Sequence, residues 1–355
     1  MTTRSTRLTV TLAAVFLVSA CGGGASPSPS DATEPPATDQ PSAEATQTPV
    51  EETPVELTLA HSYQEAQPQA RCGAAVIKEE AESAGVGLTI EIFGASELGG
   101  DADRIQSVIA GDIDMDIQGA SALSAVYAPM SAVDGAFVFD DSDHMYNFFT
   151  NDASDALKEG FNDTTGVTIL GAWNTGARQF TANKPIRTPE DLQGLRMRFP
   201  PSPQFLMNAA AMGADPVEVA YEELYLALQQ GTVDGQENPL VNIDAINLDE
   251  VQDYVSLSSH QLSSNLIIIG PVWNDLSAAQ QEALAAAVEA AMVAEPACVV
   301  EAEEAILAGF RDSGTMQVVE DVDRDAFRTR AEPYLREHFS SDQVTVLDAI
   351  RSVAE

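Results

Sequence analysis

Three short alternating runs constrain the fold most. VELTLA (55–60), LTIEIF (88–93) and DMDIQ (114–118) each alternate apolar and polar side chains. That is the period of a strand with one buried face. A helix-like stretch, 68–84, lies between the first two and is closed by Gly85. Between the second and third, Asp101 reads as the N-cap of a helix over 101–110 that Gly111 closes. The order strand–helix–strand–helix–strand needs crossover connections, which predicts an α/β fold with a mixed or parallel sheet. At 355 residues the chain is long enough for two lobes with a shared core.

The remainder alternates in the same way. VTILGA (167–172) reads as a buried strand, with 179–181 continuing extended. TPEDL (188–192) has the N-cap and N1-proline signature of a short helix. A strand over 195–199 puts Leu195, Met197 and Phe199 on one face and Arg196 and Arg198 on the other. A helix over 203–212, a turn over 213–216, a helix over 222–230 and a short strand from Val233 follow. NLIIIG (265–270) is an apolar strand. His144, Tyr146, Phe148 and Phe149 recur at roughly helical spacing, which predicts a core stripe. The longest helical stretch is 277–309, with Pro296 inside it; it reads as too alanine-rich and too charged to span a membrane.

Charge narrows the partners. Lys and Arg total 17 against 55 Asp and Glu, a formal net charge of −38. Such a surface repels nucleic-acid phosphates and anionic membranes; salt adaptation of the source accounts for it equally well. It also repels anionic ligands, so a binder of anions needs local cations. Arg178, Lys184, Arg187, Arg196 and Arg198 fall in one short segment, and no further Lys or Arg occurs until Arg311. Clustering scarce cations points to a local anion site.

The N-terminus reads as an address. Arg4 and Arg7 precede the apolar run Leu8 to Val18, and LVSAC (17–21) is a lipoprotein box ending at Cys21. The alternative is an ordinary secretory signal cut near Ala20. Residues 22–54 are rich in Pro, Ser, Thr, Ala and acids, without an aromatic, and read as a disordered tether. Cys72 and Cys298 remain, either bridged in an oxidising compartment or as two buried thiols. Without Cys-x-x-Cys spacing or clustered histidines, no metal site or other cofactor is expected.

GLRMRFP (194–200) followed by LALQQGTVDGQENPL (226–240) resembles the substrate-binding subunit of tripartite ATP-independent periplasmic (TRAP) transporters, the DctP family. GARQFTANKPIRTPEDL (176–192) and the segment ELGG…IQSVIAGDIDM (97–115) are similar to the same family, and the likeness runs from about Val55 to about Phe339. The resemblance implies a two-lobe fold like that of periplasmic binding proteins, with a ligand cleft between the lobes and a long helix linking them. On this pattern residues 1–21 are signal and lipobox, and 22–54 are linker. Residues 55–175 with 264–303 form one lobe, and 176–263 with 304–355 the other.

The same resemblance implies roles. Arg198, in the R-x-P motif, corresponds to the family's main ion pair to a ligand carboxylate; a guanidinium offers two parallel hydrogen bonds that Lys cannot reproduce. From composition alone, an Arg on a strand reads as a solvated surface residue. Arg178 matches a second family arginine, and Asn238 a family asparagine that gives its amide to a carboxylate; a turn residue before Pro239 is the alternative. Arg196 reads as structural. Tyr221 and Trp173 fall near these motifs as candidate pocket walls. Tyr63 and Gln118 are placed by strand-end position, where α/β sheets bind ligands. The family often has Asn just after R-x-P; Pro201 stands there in this chain.

No G-x-S-x-G elbow, H-E-x-x-H, P-loop or Rossmann glycine fingerprint occurs, so an enzyme is not expected. The expected function is an extracytoplasmic receptor, lipid-anchored or periplasmic and monomeric, that delivers a small organic acid to small and large integral-membrane subunits. Other readings are a receptor for an ABC importer or sensor, and an exported lyase or hydrolase using the same cleft.

Overall fold

The computed structural model describes residues 52–354. The lipobox with Cys21 and nearly all of the linker fall outside them. Ten strands are formed among the described residues: β1 (Val55–Ala60), β2 (Leu88–Phe93), β3 (Met115–Gln118), β4 (Thr168–Ala182), β5 (Arg196–Phe199), β6 (Asp215–Glu218), β7 (Gly235–Pro239), β8 (Tyr254–Ser256), β9 (Leu262–Ile269) and β10 (Gln317–Val319).

β1 runs parallel to both β2 and β3. The crossovers are carried by helices Ala75–Ser83 and Asp101–Ala110. This is the arrangement the opening alternation predicts. Helix Asp101–Ala110 is capped by Gly100 rather than Asp101. Asp101 sits instead in the first turn, where the helix dipole favours an acid.

The strand order is β2-β1-β3-β9-β4-β7-β5-β6, with β8 bridging β4 and β10. β4 joins the two parts of the sheet. Its first part pairs antiparallel with β9, and its last residues pair with β7 and β8. The sequence reading split this stretch in two, whereas it is one 15-residue strand. The β4–β9 register slips between Asn174 and Ala177. Gly176 sits in that bulge at φ +101, a left-handed backbone that a side chain would strain.

The expected turn at 213–216 is another difference. Gly213 ends the preceding helix, but Asp215–Glu218 then pairs parallel with β5. A proline at 216 hid this strand from the sequence; β6 is an edge, where a missing N–H costs little.

The core is apolar on both sides of the sheet. One cluster runs from Ile105 and Phe148 to Phe180, Phe199, Phe327 and Ile350. A second holds Leu57, Ile77, Trp173, Ile267 and Leu284, and a third Leu224, Leu248, Val255 and Phe310. Most of the expected stripe is core: His144, Phe148 and Phe149 are buried on helix Ser142–Thr150, while Tyr146 is half-buried against the second cluster.

Helix Ala278–Ser313 contributes Leu284 to the second cluster and Phe310 to the third, and so links them. By length and composition alone it is apolar enough to cross a membrane, contrary to the sequence reading. Packing on β4 and on helix Ala75–Ser83 places it in this fold. A bond between Cys72 and Cys298 also ties it, their Cα atoms 6.5 Å apart.

Helix Arg324–His338 packs on helix Pro203–Met212. Helix Ser341–Arg351 packs on the 3-10 turns at 128–134 and 152–154.

Candidate functional site

Strand ends and the residues after them surround a cavity of about 500 Å³. Ser62 and Tyr63 follow β1, Gln118 ends β3, and the start of helix Asp101–Ala110 closes one side. Arg178 comes from the middle of β4, Arg198 from β5, Asn238 from β7, and Ser263 to Asn265 from β9. Antiparallel β4–β7 pairing sets Arg178 opposite Pro239 and Gln179 opposite Asn238, which brings two distant motifs together.

Three guanidiniums are buried in or beneath this cavity, and they differ in one respect. Arg104 donates from Nε to both oxygens of Asp116 at 3.2 Å, and from Nη2 to Asp101 at 2.8 Å and Ser62 at 2.9 Å. Arg178 donates from Nε to Glu237 Oε2 and from Nη2 to Glu237 Oε1 at 2.8 Å. Its other donors go to Ser263 Oγ at 2.9 Å and Asn238 Oδ1 at 3.1 Å, and its face lies 4.8 Å over the Phe205 ring.

Arg198 has no such partner. It is 1% exposed, so it is not a solvated strand residue. Its Nε donates to the Val219 carbonyl at 2.8 Å, while Nη1 is buried with nothing to donate to. Among the described residues no carboxylate pairs with it. Burial lowers its pKa to about 10, Glu237 working against this and Arg178 with it. At neutral pH it stays a cation, held dry and unneutralised. Such a group costs free energy until an anion reaches it.

Glu237 is fully buried. Burial acts to raise its carboxyl, but Arg178 and His260 together outweigh it and hold it below the ordinary range. His260 Nε2 lies 3.2 Å from Glu237 Oε2, its ring stacked on Phe180 with centroids 4.3 Å apart. The motif arginine at 178 is therefore already matched by a carboxylate within the protein.

The other expected residues divide. Asn238 accepts from Arg178 and donates to Gln236 Oε1 at 2.5 Å, so it is an organised member of the wall rather than a simple turn residue. Tyr221 lines the cavity with its hydroxyl donating to the Asn242 carbonyl at 3.1 Å, and burial pushes its pKa up. Tyr63 accepts from Asn265 Nδ2 at 2.7 Å, and Gln118 donates to Asp116 Oδ2 at 2.6 Å. Arg196 is exposed and forks onto Asp234 at 2.7 and 3.0 Å, the structural role expected of it.

Trp173 is a correction. It is absent from the cavity wall and 2% exposed, among Leu57, Ile77 and Leu284. On β4 this position faces the helical layer, and a Cβ at Gly73 would stand 2.8 Å from its ring. The side chain is core and packs closely on Gly73 of the π-helix Gln69–Ala74.

Sequence reasoning missed Asp134 on the wall and Arg104 beneath it. Asp134 accepts from Ser264 Oγ and the Ser121 amide, each at 2.7 Å, with burial raising its carboxyl. It belongs to a 3-10 turn far along the chain from any motif, so no local pattern marked it. Arg104 lay outside the cationic cluster, though an Arg amid an acidic chain next to DAD was an available signal.

The family model described as bacterial extracellular solute-binding protein, family 7 (DctP), matches residues 59–342. The chain belongs to the DctP family. Among curated relatives, an uncharacterized Sinorhizobium fredii protein is 32% identical over 272 residues, covering 76% of this chain and 50% of that protein. This chain thus spans half of that relative's length. The 2,3-diketo-L-gulonate-binding periplasmic protein of Escherichia coli is 30% identical over 270 residues, 76% of this chain and 82% of that one.

Solved DctP-family structures share the fold. A TRAP periplasmic solute-binding protein from Polaromonas sp. JS666, bound to D-erythronate, superposes with a TM-score of 0.78 at 29% identity, covering 84% of this chain and 99% of that one. Another from Shewanella oneidensis, with bound succinate, gives 0.77 at 26% identity over 85% and 100%. The two-lobe α/β architecture expected from the sequence is the architecture of these DctP-family neighbours, and the family is one of extracytoplasmic solute receptors.

Proposed function

We propose that this chain captures a small organic acid for a TRAP-type transporter, with Arg198 as the chief carboxylate anchor. The single observation carrying this is the buried, unpaired Nη1 of Arg198 at a cavity whose other lining guanidinium, Arg178, is neutralised by Glu237. Arg178 and Asn238 support the anchor, Arg178 by holding Asn238 in place rather than as a free cation. Tyr221, Gln118 and Tyr63 complete the wall. Relatives described as binding 2,3-diketo-L-gulonate, sialic acid or C4-dicarboxylates support an acidic ligand.

The lobes are taken as residues 55–175 with 264–303 and 176–263 with 304–355. Closure over the ligand bends the β4 and β9 strands and the long helix that join them. The closed form then docks on small and large membrane subunits, and the receptor itself does no chemistry. Cys21 is the lipid-bearing N-terminus of the mature chain, so a Cys21→Ser variant should be released from membranes or left unprocessed. Calorimetry on Arg198→Ala with an acid found by thermal-shift screening tests the anchor; binding close to wild type would reject it.

A further inference from the structure

We propose that the ligand carries one carboxylate on a bulky, largely apolar body, and that Pro201 turns the site away from polyhydroxylated acids. This rests on the receptor reading above and narrows it.

Charge gives the first argument. Arg104 and Arg178 are each matched by a buried carboxylate, Asp116 and Glu237. That leaves Arg198 as the uncompensated cation of the cavity wall. Every other ionisable side chain lining it, apart from Tyr63 and Tyr221, is an acid: Asp101, Asp103, Asp134 and Glu222. Asp134 is buried, the other three are exposed at the rim, and Asp101 already faces Arg104, so a second carboxylate on the ligand finds no free cation and meets acids instead.

Hydrogen-bonding capacity gives the second. A polyol needs free donors and acceptors along its length. Arg178 is committed to Glu237, Ser263 and Asn238, and Asn238 uses both ends of its amide. Ser264 is held between the Ala120 amide and Asp134, and the Tyr221 hydroxyl goes to Asn242. The Ser121 hydroxyl and the Asn265 Oδ1 are buried without a partner, which leaves room for a polar substituent or two and not for a row of hydroxyls.

The walls give the third. Ile105 contributes from helix Asp101–Ala110, Ala122 and Val126 from the segment after β3, Pro200 and Pro201 from the loop after β5, and Pro203 from the start of the helix that follows. A proline has no N–H and no polar side-chain atom, so this loop offers a ligand hydroxyl little beyond carbonyls and Ser202. Ser202 Oγ is already directed to the Ser121 carbonyl at 3.3 Å. A cavity of about 500 Å³ is larger than a four-carbon acid needs, and apolar walls are satisfied by an apolar occupant.

The test is calorimetry on the full chain with four probes: 3-phenylpropanoate, 4-methylpentanoate, succinate and D-gluconate. Each is measured on wild type, Arg198→Ala and Pro201→Asn. The expected result is that at least one apolar acid binds about tenfold or more tighter than succinate and gluconate, with that binding lost in Arg198→Ala. Pro201→Asn should narrow the gap to gluconate by about tenfold, because the new amide can pair with a hydroxyl. Succinate or gluconate binding more tightly than both apolar acids, and losing it in Arg198→Ala, would overturn the inference and leave the receptor reading standing. Failure of both apolar acids to bind also overturns it. Apolar-acid binding that survives Arg198→Ala would instead sink the anchor reading. If Pro201→Asn melts like wild type yet leaves the preference unchanged, the role of Pro201 is wrong.

Discussion

Arg178 and Glu237 neutralise one another inside the protein, the guanidinium Nη2 standing 2.8 Å from the carboxylate Oε1 with both residues buried. This pair decides the electrostatics of the cleft, because it removes one of the two motif arginines from the cations open to a ligand.

Its first consequence is for stability. Arg178→Ala leaves Glu237 buried with only His260 beside it. Breaking a buried pair from one side typically costs about 3–5 kcal/mol. Urea unfolding should show a loss of that order in Arg178→Ala, and a smaller one in a volume-matched Arg178→Met, Glu237→Gln double variant. A loss under about 1 kcal/mol in the single variant would mean the pair is not a structural unit.

The long helix should make stability pH-dependent in an unusual sense. Burial raises Glu303 to about 7 and Glu295 well above its ordinary value; Thr175 opposes this at Glu295, and the Leu240 amide at Glu303. Both carboxyls keep their protons after the unfolded chain has lost its own. The stability they allow is therefore complete below the ordinary carboxylate pKa and falls as pH rises from about 4.5 toward 7, by roughly 3 kcal/mol for Glu303 alone. A Glu295→Gln, Glu303→Gln double variant should melt higher than wild type at pH 8 and lose less between pH 5 and 7. Equal slopes in the two proteins would count against buried, protonated carboxyls.

The Cys72–Cys298 bond closes a loop of 226 positions in sequence. Chain entropy puts its contribution at up to about 5 kcal/mol, and native bridges commonly deliver about 2–5. Reduction, or Cys72→Ser with Cys298→Ser, should lower the urea midpoint accordingly. Two reactive thiols in denatured, unreduced protein would show instead that the bridge is absent.

Much of this was legible in the sequence because the signals were local. Alternation placed β1, β2 and β3 within a residue of their observed ends, and glycines at 85, 111 and 213 marked helix ends. The R-x-P and GQENP motifs led to Arg198 and Asn238, both on the cavity wall. What stayed hidden depends on pairing across long separations. β6 is a strand only because β5 offers it an edge. Asp134 reaches the wall through a turn without a pattern, and Trp173 faces the helices because of how β4 lies in the sheet. That Arg178 is spent on Glu237, 59 positions away, follows from β4–β7 register and not from either motif.

The central claim concerns Arg198, and calorimetry tests it most directly. On an acid that binds wild type, Arg198→Ala should weaken binding by about 2–5 kcal/mol, roughly 30- to several-thousand-fold. Arg198→Lys should recover only part, since it keeps the charge and loses the fork, and Arg196→Ala should bind nearly as wild type. Binding by a folded Arg198→Ala within about threefold of wild type would contradict the account, as would a large loss in Arg196→Ala instead.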